Sequence, residues 1–193
     1  MLAKEANVED LRVRRTRHVL HEKFWELLAE QSFQSITVQD ITSRAMVNRA
    51  TFYDHFVDKY ALLQYSIREW FRGTLEKHQP AGNGGGEDLK GLVTTTCEFL
   101  EKLRYHCLPR DNAVLPLVQT TITDLIAEIL YLWKMEPEGA GSSGCKLNAA
   151  ITSWAIYGAA YYWSQMEDRE PVEQFAQRVL PTLRASLDRP QNP

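Results

Sequence analysis

The chain has few of the features that mark secreted, metal-binding or membrane proteins. Its three cysteines form no CxxC or CxxxC pair, so neither a disulfide framework nor a zinc site is expected at Cys97, Cys107 and Cys145. No apolar run approaches the roughly 18 residues that a membrane span requires. The N-terminal MLAKEANVEDLRVRR lacks the apolar core of a signal peptide. These absences predict a cytoplasmic protein with no metal or other cofactor and no membrane partner.

The sequence motifs of common enzyme classes are also missing. There is no HExxH, no GxSxG, no nucleotide-binding loop and no paired-carboxylate pattern. The glycine-rich PAGNGGG at 80–86 is followed by no Gly-Lys-Ser/Thr and preceded by no strand pattern, so we interpret it as a flexible connection. We therefore expect no enzymatic activity.

The distribution of charge is more informative than the net charge of −3, which argues against indiscriminate coating of nucleic acid. Residues 1–79 carry 12 Lys and Arg against 11 Asp and Glu, whereas residues 80–193 carry 10 against 14. Within the first part, four arginines are clustered at Arg12, Arg14, Arg15 and Arg17. Such a cluster indicates either phosphate binding at a restricted site or an ordinary solvated helix start.

Helical spacing of apolar residues dominates, and two-residue alternation is nearly absent, which predicts an all-α protein. We expect two domains, 8–58 and 59–188, with loops near 80–86 and 136–144. Pro116 is a position where a helix could divide, and Pro181 is expected to kink or split the last helix. The predicted helices cover about 8–30, 58–77, 87–108, 111–135, 145–167 and 171–187. Two further short helices are predicted between the first two of these, one starting at Thr37 and the other capped by Asn48.

The segment TVQDITSRAMVNRATFYDHFVDK at 37–59 predicts two short helices joined by a tight turn, which is the helix-turn-helix geometry. Thr37 and Asp40 have the spacing of a capping box, and Asn48 is a favourable N-cap for the second helix. Helical spacing gives each helix a buried side, formed by Val38, Ile41 and Ala45 in the first and by Phe52 and Phe56 in the second.

This packing leaves polar side chains of the second helix facing outward. Arg49 can reach guanine or phosphate, and Thr51 suits base edges, including the thymine methyl group. Tyr53 and His55 can hydrogen-bond to phosphate oxygens. The helix starts at Thr37 and Lys59 add further phosphate contacts. Each residue taken singly is also consistent with a solvated side chain. The predicted DNA-binding set is Thr37, Asn48, Arg49, Ala50, Thr51, Tyr53, His55 and Lys59.

The text from Arg14 to Leu63 resembles the DNA-binding domain of the TetR family of bacterial transcriptional regulators. That family's pattern is roughly T-V-x-D-I-x-x-x-A-G-V-S-x-x-T-x-Y-x-H-F-x-x-K-x-x-L. The chain departs from it at Met46, where glycine is usual, so the turn is either strained or takes another conformation. Ser32 and Asn48 are lesser departures. The matching residues are Thr37, Val38, Asp40, Ile41, Ala45, Val47, Thr51, Tyr53, His55, Phe56, Lys59 and Leu62.

The resemblance implies a three-helix N-terminal domain followed by a larger helical domain for ligand binding and dimerisation. It also implies a homodimer on near-palindromic, double-stranded operator DNA. Members of the family are often repressors that a small-molecule effector releases from DNA. Two-fold pairing has independent support, because one short helix contacts too few base pairs for useful selectivity.

The helix predicted at 145–167 is apolar around most of its circumference, which indicates burial on two sides. Together with the helix at 171–187, it is our candidate for a four-helix dimer interface. A central core helix in a monomer would show the same pattern. The predicted interface residues are Ala150, Trp154, Gly158, Tyr161, Tyr162, Phe175 and Val179.

The sequence identifies the effector site less clearly than it identifies the DNA-binding residues. Aromatic and aliphatic residues of the second domain suit an apolar or aromatic effector, although residues at such spacing are more often simply core. The candidate lining is Phe99, Leu103, Cys107, Val118, Ile122, Ile126, Tyr131, Trp133, Trp154 and Tyr157.

Two other functions remain open from the sequence alone. One is a dimeric DNA-binding regulator that answers a protein partner or no effector. The other is a helical enzyme or binding module in which the hairpin serves only packing.

Overall fold

The computed structural model describes residues 2–78, 86–106, 114–134 and 143–187. Within these ranges all regular structure is helical and no strand occurs, so the predicted all-α class is confirmed. The helices are α1 (Leu2–Glu30), α2 (Val38–Ala45), α3 (Arg49–His55), α4 (Lys59–His78), α5 (Gly86–His106), α6 (Leu115–Lys134), α7 (Ser143–Gln165) and α8 (Val172–Leu187).

Neither proline divides its helix. Pro116 is the second residue of α6, where a missing backbone N–H costs nothing because the first turn has no acceptor for it. Pro181 lies inside α8, which continues to Leu187, so the predicted split is wrong. The proline is exposed, while Leu180 and Leu183 on either side of it are buried and hold the helix onto the core.

The chain separates into two compact units, and the division falls within α4 between Ser66 and Ile67. The first unit contains α1, α2, α3 and the first turns of α4. Each fully buried side chain in it contributes roughly 1.5–3 kcal/mol relative to exposure. Its core comprises Leu20, Phe24, Leu27, Leu28, Phe33, Ile36, Ile41, Phe52, Phe56 and Leu62.

The second unit is built around α5. Every residue from Gly91 to Cys97 is buried, so this middle part of α5 is enclosed on all sides. Three of these residues are threonines, and Thr96 satisfies its hydroxyl by donating to the Leu92 carbonyl at 2.7 Å. Elsewhere in this unit, α7 packs against both α6 and α8.

By length and mean hydropathy, α6 could cross a membrane, although polar residues interrupt its apolar sequence. The structure gives it the alternative role that such helices often have, because one side of α6 packs on α7 as part of the core. Its buried residues are Val118, Thr121, Ile122, Thr123, Leu125, Ile126 and Leu130.

Apolar residues occur on two opposite faces of α7. Both sets follow the three- and four-residue spacing of a single helical face. The inner face is buried within the second unit and includes Ala149, Ile156, Tyr157, Ala160 and Trp163. The outer face is exposed and includes Leu147, Ile151, Trp154, Tyr161 and Tyr162, with Gly158 between the last three.

Candidate nucleic-acid interface

The predicted capping box at the start of α2 is present. The Asp40 amide donates to Thr37 Oγ1 at 3.1 Å, and the Thr37 amide donates to Asp40 Oδ2 at 2.8 Å. The Thr37 hydroxyl also donates to Asp40 Oδ2 at 2.6 Å. These bonds from Thr37 lower the pKa of Asp40. The Thr37 hydroxyl proton is therefore engaged with a carboxylate, which does not support its predicted donation to a DNA phosphate.

The turn after α2 is a Schellman motif. The Met46 amide donates to the Ser43 carbonyl at 3.3 Å, and the Val47 amide donates to the Thr42 carbonyl at 3.0 Å. Met46 has φ 52° and ψ 41°, the left-handed conformation that glycine adopts most easily. Of the two alternatives, the structure thus shows the strained one, at a cost of roughly 1–2 kcal/mol. Among the described residues other than glycine, Met46 alone has a positive φ.

The second helix of the motif, α3, has seven residues and would be marginal by itself. At its start, Asn48 Oδ1 accepts a hydrogen bond from the Thr51 amide at 2.7 Å, as expected for an N-cap. Phe52 is fully buried and Phe56 is 6% exposed. Their rings lie 5.9 Å apart between centroids, and the Phe56 ring lies 5.3 Å from that of Tyr65 in α4. These aromatic contacts fix the orientation of α3.

The outward face of α3 presents a cation and a phenol side by side. The Arg49 guanidinium donates to Tyr53 Oη at 3.2 Å and lies 5.6 Å from the centre of the Tyr53 ring. Arg49, Tyr53, Asn48 and Ala50 are exposed, whereas Thr51 and His55 are half-buried at its flanks. The structure therefore brings together the predicted residues of this helix and orders Arg49 before any ligand binds.

Lys59, by contrast, points into the protein. Its ammonium group donates to the carbonyls of Phe33 at 2.9 Å, Gln34 at 3.0 Å and Ile36 at 2.7 Å. It also lies 4.7 Å from the centre of the Phe33 ring. An ammonium group has three donors, and these carbonyls use all of them. The predicted phosphate contact of Lys59 is therefore not supported, and we assign it to fixing the α1–α2 connection onto α4.

Two arginines that the sequence did not single out as structural also brace this unit. Arg44 binds Glu30 through two hydrogen bonds of 2.8 and 2.6 Å, which link α2 to α1, lower the pKa of Glu30 and raise that of Arg44. The Arg17 guanidinium lies 5.8 Å from the centre of the Phe56 ring and 5.9 Å from that of Tyr65. The arginine cluster thus divides, because Arg17 packs inward and its other three members have exposed side chains.

In the second unit, the predicted pocket residues do not share one environment. Tyr131 and Trp133 are half-buried, and Cys107 lies outside the described residues. Trp154 is 54% exposed, so its assignment to an interior pocket is wrong. The buried members are Phe99, Leu103, Val118, Ile122, Ile126 and Tyr157.

The predicted interface residues lie mostly where the prediction needs them. Ala150, Trp154, Gly158, Tyr161 and Tyr162 are exposed on α7, and Val179 on α8 is half-buried. The prediction that Phe175 lies at the interface is wrong. Phe175 is 2% exposed and its ring lies 6.2 Å from that of Trp163, so it belongs to the chain's own core.

A capped helix, a tight turn and a short helix with an exposed Arg–Tyr pair define a helix-turn-helix DNA-binding domain. Residues 25–65 match the family model described as bacterial regulatory proteins, tetR family. This segment of the chain therefore has the helix-turn-helix sequence of the TetR family of bacterial transcriptional regulators.

Over 179 residues, 90% of this chain, the sequence is 48% identical to YxbF of Bacillus subtilis (strain 168), an uncharacterized HTH-type transcriptional regulator. The chain spans 46% of that relative's length. The fold is similar to that of a TetR transcriptional regulator from Streptococcus agalactiae 2603V, with a TM-score of 0.54, 19% identity and coverage of 92% of this chain and 98% of that chain. It is also similar to RolR bound to resorcinol, with a TM-score of 0.54, 16% identity and coverage of 95% and 98%.

The inward geometry of Lys59 leads to a test of its role. Lys59→Ala should lower the free energy of unfolding by roughly 1.5–3 kcal/mol, because it removes a charged donor from three backbone carbonyls. Urea unfolding followed by circular dichroism measures this change. Lys23→Ala is the control, since Lys23 forms an exposed pair with Glu26 that contributes at most about 1 kcal/mol. Unchanged stability together with weaker, less salt-dependent DNA binding would instead make Lys59 a phosphate contact.

Proposed function

We propose that this protein is a transcriptional repressor that binds operator DNA as a homodimer and is released by a small-molecule effector. The observation that carries the DNA-binding part is the exposed Arg49–Tyr53 pair on a helix held by buried Phe52. The proposed role places the protein in the bacterial cytoplasm with the DNA. It requires no catalytic step.

On DNA, α3 lies in the major groove with its first residues nearest the base edges. Arg49 donates to guanine O6 and N7, the commonest specific contact of an arginine. The Tyr53 hydroxyl, which accepts from Arg49 in the free protein, donates to a phosphate oxygen and sets the register. Asn48 and Ala50 are exposed at the start of the same helix. This division of roles assigns selectivity to Arg49 and general affinity to Tyr53.

The outer face of α7 supports the dimer. Trp154 is 54% exposed, Tyr161 44% and Tyr162 63%, which makes an apolar surface too aromatic for an ordinary solvated helix. Gly158 lies between them, and a Cβ built on it meets nothing within 4 Å. Packing within the chain therefore does not require glycine there, although glycine in a helix costs about 1 kcal/mol relative to alanine. Close approach of a partner helix does require a small residue.

Buried side chains of α5 support the proposal of a small-molecule effector. The Thr95 hydroxyl is buried and has no hydrogen-bond partner among the described residues. An unpaired buried hydroxyl costs roughly 1–3 kcal/mol, which a bound ligand with a hydrogen-bonding group would recover. Cys97 on the same helix offers no charge, because burial raises the pKa of its thiol to about 12. A neutral aromatic compound with a hydroxyl group, such as the resorcinol bound to RolR, has the hydrogen-bonding chemistry to pair with Thr95.

The DNA-binding proposal is tested by selecting duplexes from a random pool with the purified 193-residue chain. Arg49→Ala should then weaken binding to the selected duplex by about 5- to 150-fold and relax selection at one position in each half-site. Tyr53→Phe should weaken binding to all sequences alike, because it removes a hydroxyl that donates a hydrogen bond to a phosphate oxygen. Arg184→Ala, an exposed arginine of α8, is the control. Selection of no sequence by the wild-type chain would support the non-DNA-binding module.

The dimer proposal is tested with two glycines. Gly158 and Gly73 both lie in helices, and a Cβ at either meets nothing within 4 Å. Gly158→Leu should shift the chain to monomer by blocking the partner helix, whereas Gly73→Leu should leave the dimer intact. Size-exclusion chromatography with light scattering over a range of concentrations measures both. A monomeric wild type, or a Gly158→Leu dimer as stable as the wild type, would contradict the proposal.

The effector proposal is tested by releasing the DNA complex with a panel of small hydroxylated aromatics that includes resorcinol. Thr95→Val should raise the concentration needed for release about tenfold, because it removes the hydroxyl that the ligand would pair. It should not lower stability. Thr96→Val is the control, since Thr96 is buried but already bonded within its helix. Release by no member of the panel would favour the regulator without an effector.

A further inference from the structure

Met46 is the most exposed large apolar side chain among the described residues. Its relative exposure is 91%, compared with 80% for Val57, the next in order. The hydrogen bonds of the turn involve its backbone amide and that of Val47, not its side chain. Any residue with an amide could make those bonds, so the thioether contributes nothing to the turn itself.

The position therefore carries two unfavourable features at once. The backbone takes a left-handed conformation that a side chain disfavours, and the side chain places apolar surface in water. Glycine would remove both. The turn requires the left-handed backbone but not the methionine side chain, and a costly side chain that the turn does not need indicates a role outside the chain.

The location of Met46 identifies that role. It lies in the turn of the helix-turn-helix, three residues before Arg49, so the two Cα atoms are at most about 11 Å apart. Contact with the base edges by Arg49 thus brings Met46 close to the same stretch of duplex. The 5-methyl group of thymine is the apolar group that base pairs present in the major groove. Methionine suits such a contact because its side chain is unbranched, adaptable and polarizable.

We propose that Met46 determines operator specificity by packing its thioether against a thymine 5-methyl group next to the base pair contacted by Arg49. The inference rests on the proposed DNA-binding function. It adds an apolar contact from the turn to the polar contacts from α3. The left-handed backbone is then the cost of presenting a side chain where the family pattern has none.

The test combines a protein substitution with a DNA substitution in the selected operator. Met46→Gly should weaken binding about five- to tenfold without lowering the melting temperature, since glycine fits the left-handed turn. Met46→Leu, which keeps the apolar side chain, should stay within about threefold of the wild type. Replacing one thymine with deoxyuridine, which lacks the methyl group, should weaken the wild type by a similar factor and leave Met46→Gly unaffected.

The outcomes separate this inference from the function on which it rests. If the wild type binds no duplex, or Arg49→Ala binds as well as the wild type, the proposed DNA-binding function fails. If those controls behave as expected but Met46→Gly binds with wild-type affinity, the role of Met46 is refuted. The role is also refuted if, with the thymines replaced by deoxyuridine one at a time, each replacement weakens binding by Met46→Gly as much as binding by the wild type.

Discussion

Burial of the Phe52 and Phe56 rings is the constraint on which the DNA-binding domain depends. A seven-residue helix gains too little from its own hydrogen bonds to persist alone, so its position comes from side chains beneath it. Phe56 is the C-cap of α3 and contacts both Arg17 of α1 and Tyr65 of α4. A single aromatic ring thus ties three helices together, and the outward residues of α3 inherit their orientation from it.

Several polar side chains of this domain are already bonded within the chain. Lys59, Arg44 and Thr37 all donate hydrogen bonds to carbonyl or carboxylate groups of the chain itself. These bonds restrict the segments that connect the helices. A cation or hydroxyl with its donors already used is a poor candidate for a second partner. On the outward face of α3, Arg49 and Tyr53 are instead bonded to each other, which sets the geometry of this pair in advance.

The sequence predicted those features that depend on neighbouring residues. The capping box at Thr37 and the N-cap at Asn48 join residues three apart, so their spacing alone identified them. It could not predict the role of Lys59, because its acceptors lie 23 to 26 positions away and are backbone carbonyls with no sequence signature. Phe175 and Trp154 were misassigned for a related reason. An aromatic residue at helical spacing indicates a face, but only the packing of neighbouring helices decides whether that face is covered.

The two-faced character of α7 has a consequence for copy number in the cell. Under the proposed pairing, the outer aromatic residues are covered only while a second copy is present, so the folded state is stabilised by mass action. Dilution would uncover Trp154 and Tyr162 and lower the stability of each chain. The amount of repressor would then set both the occupancy of the operator and the lifetime of the repressor itself. A shortage of protein would tend to deepen, because lone copies would be the ones most readily degraded.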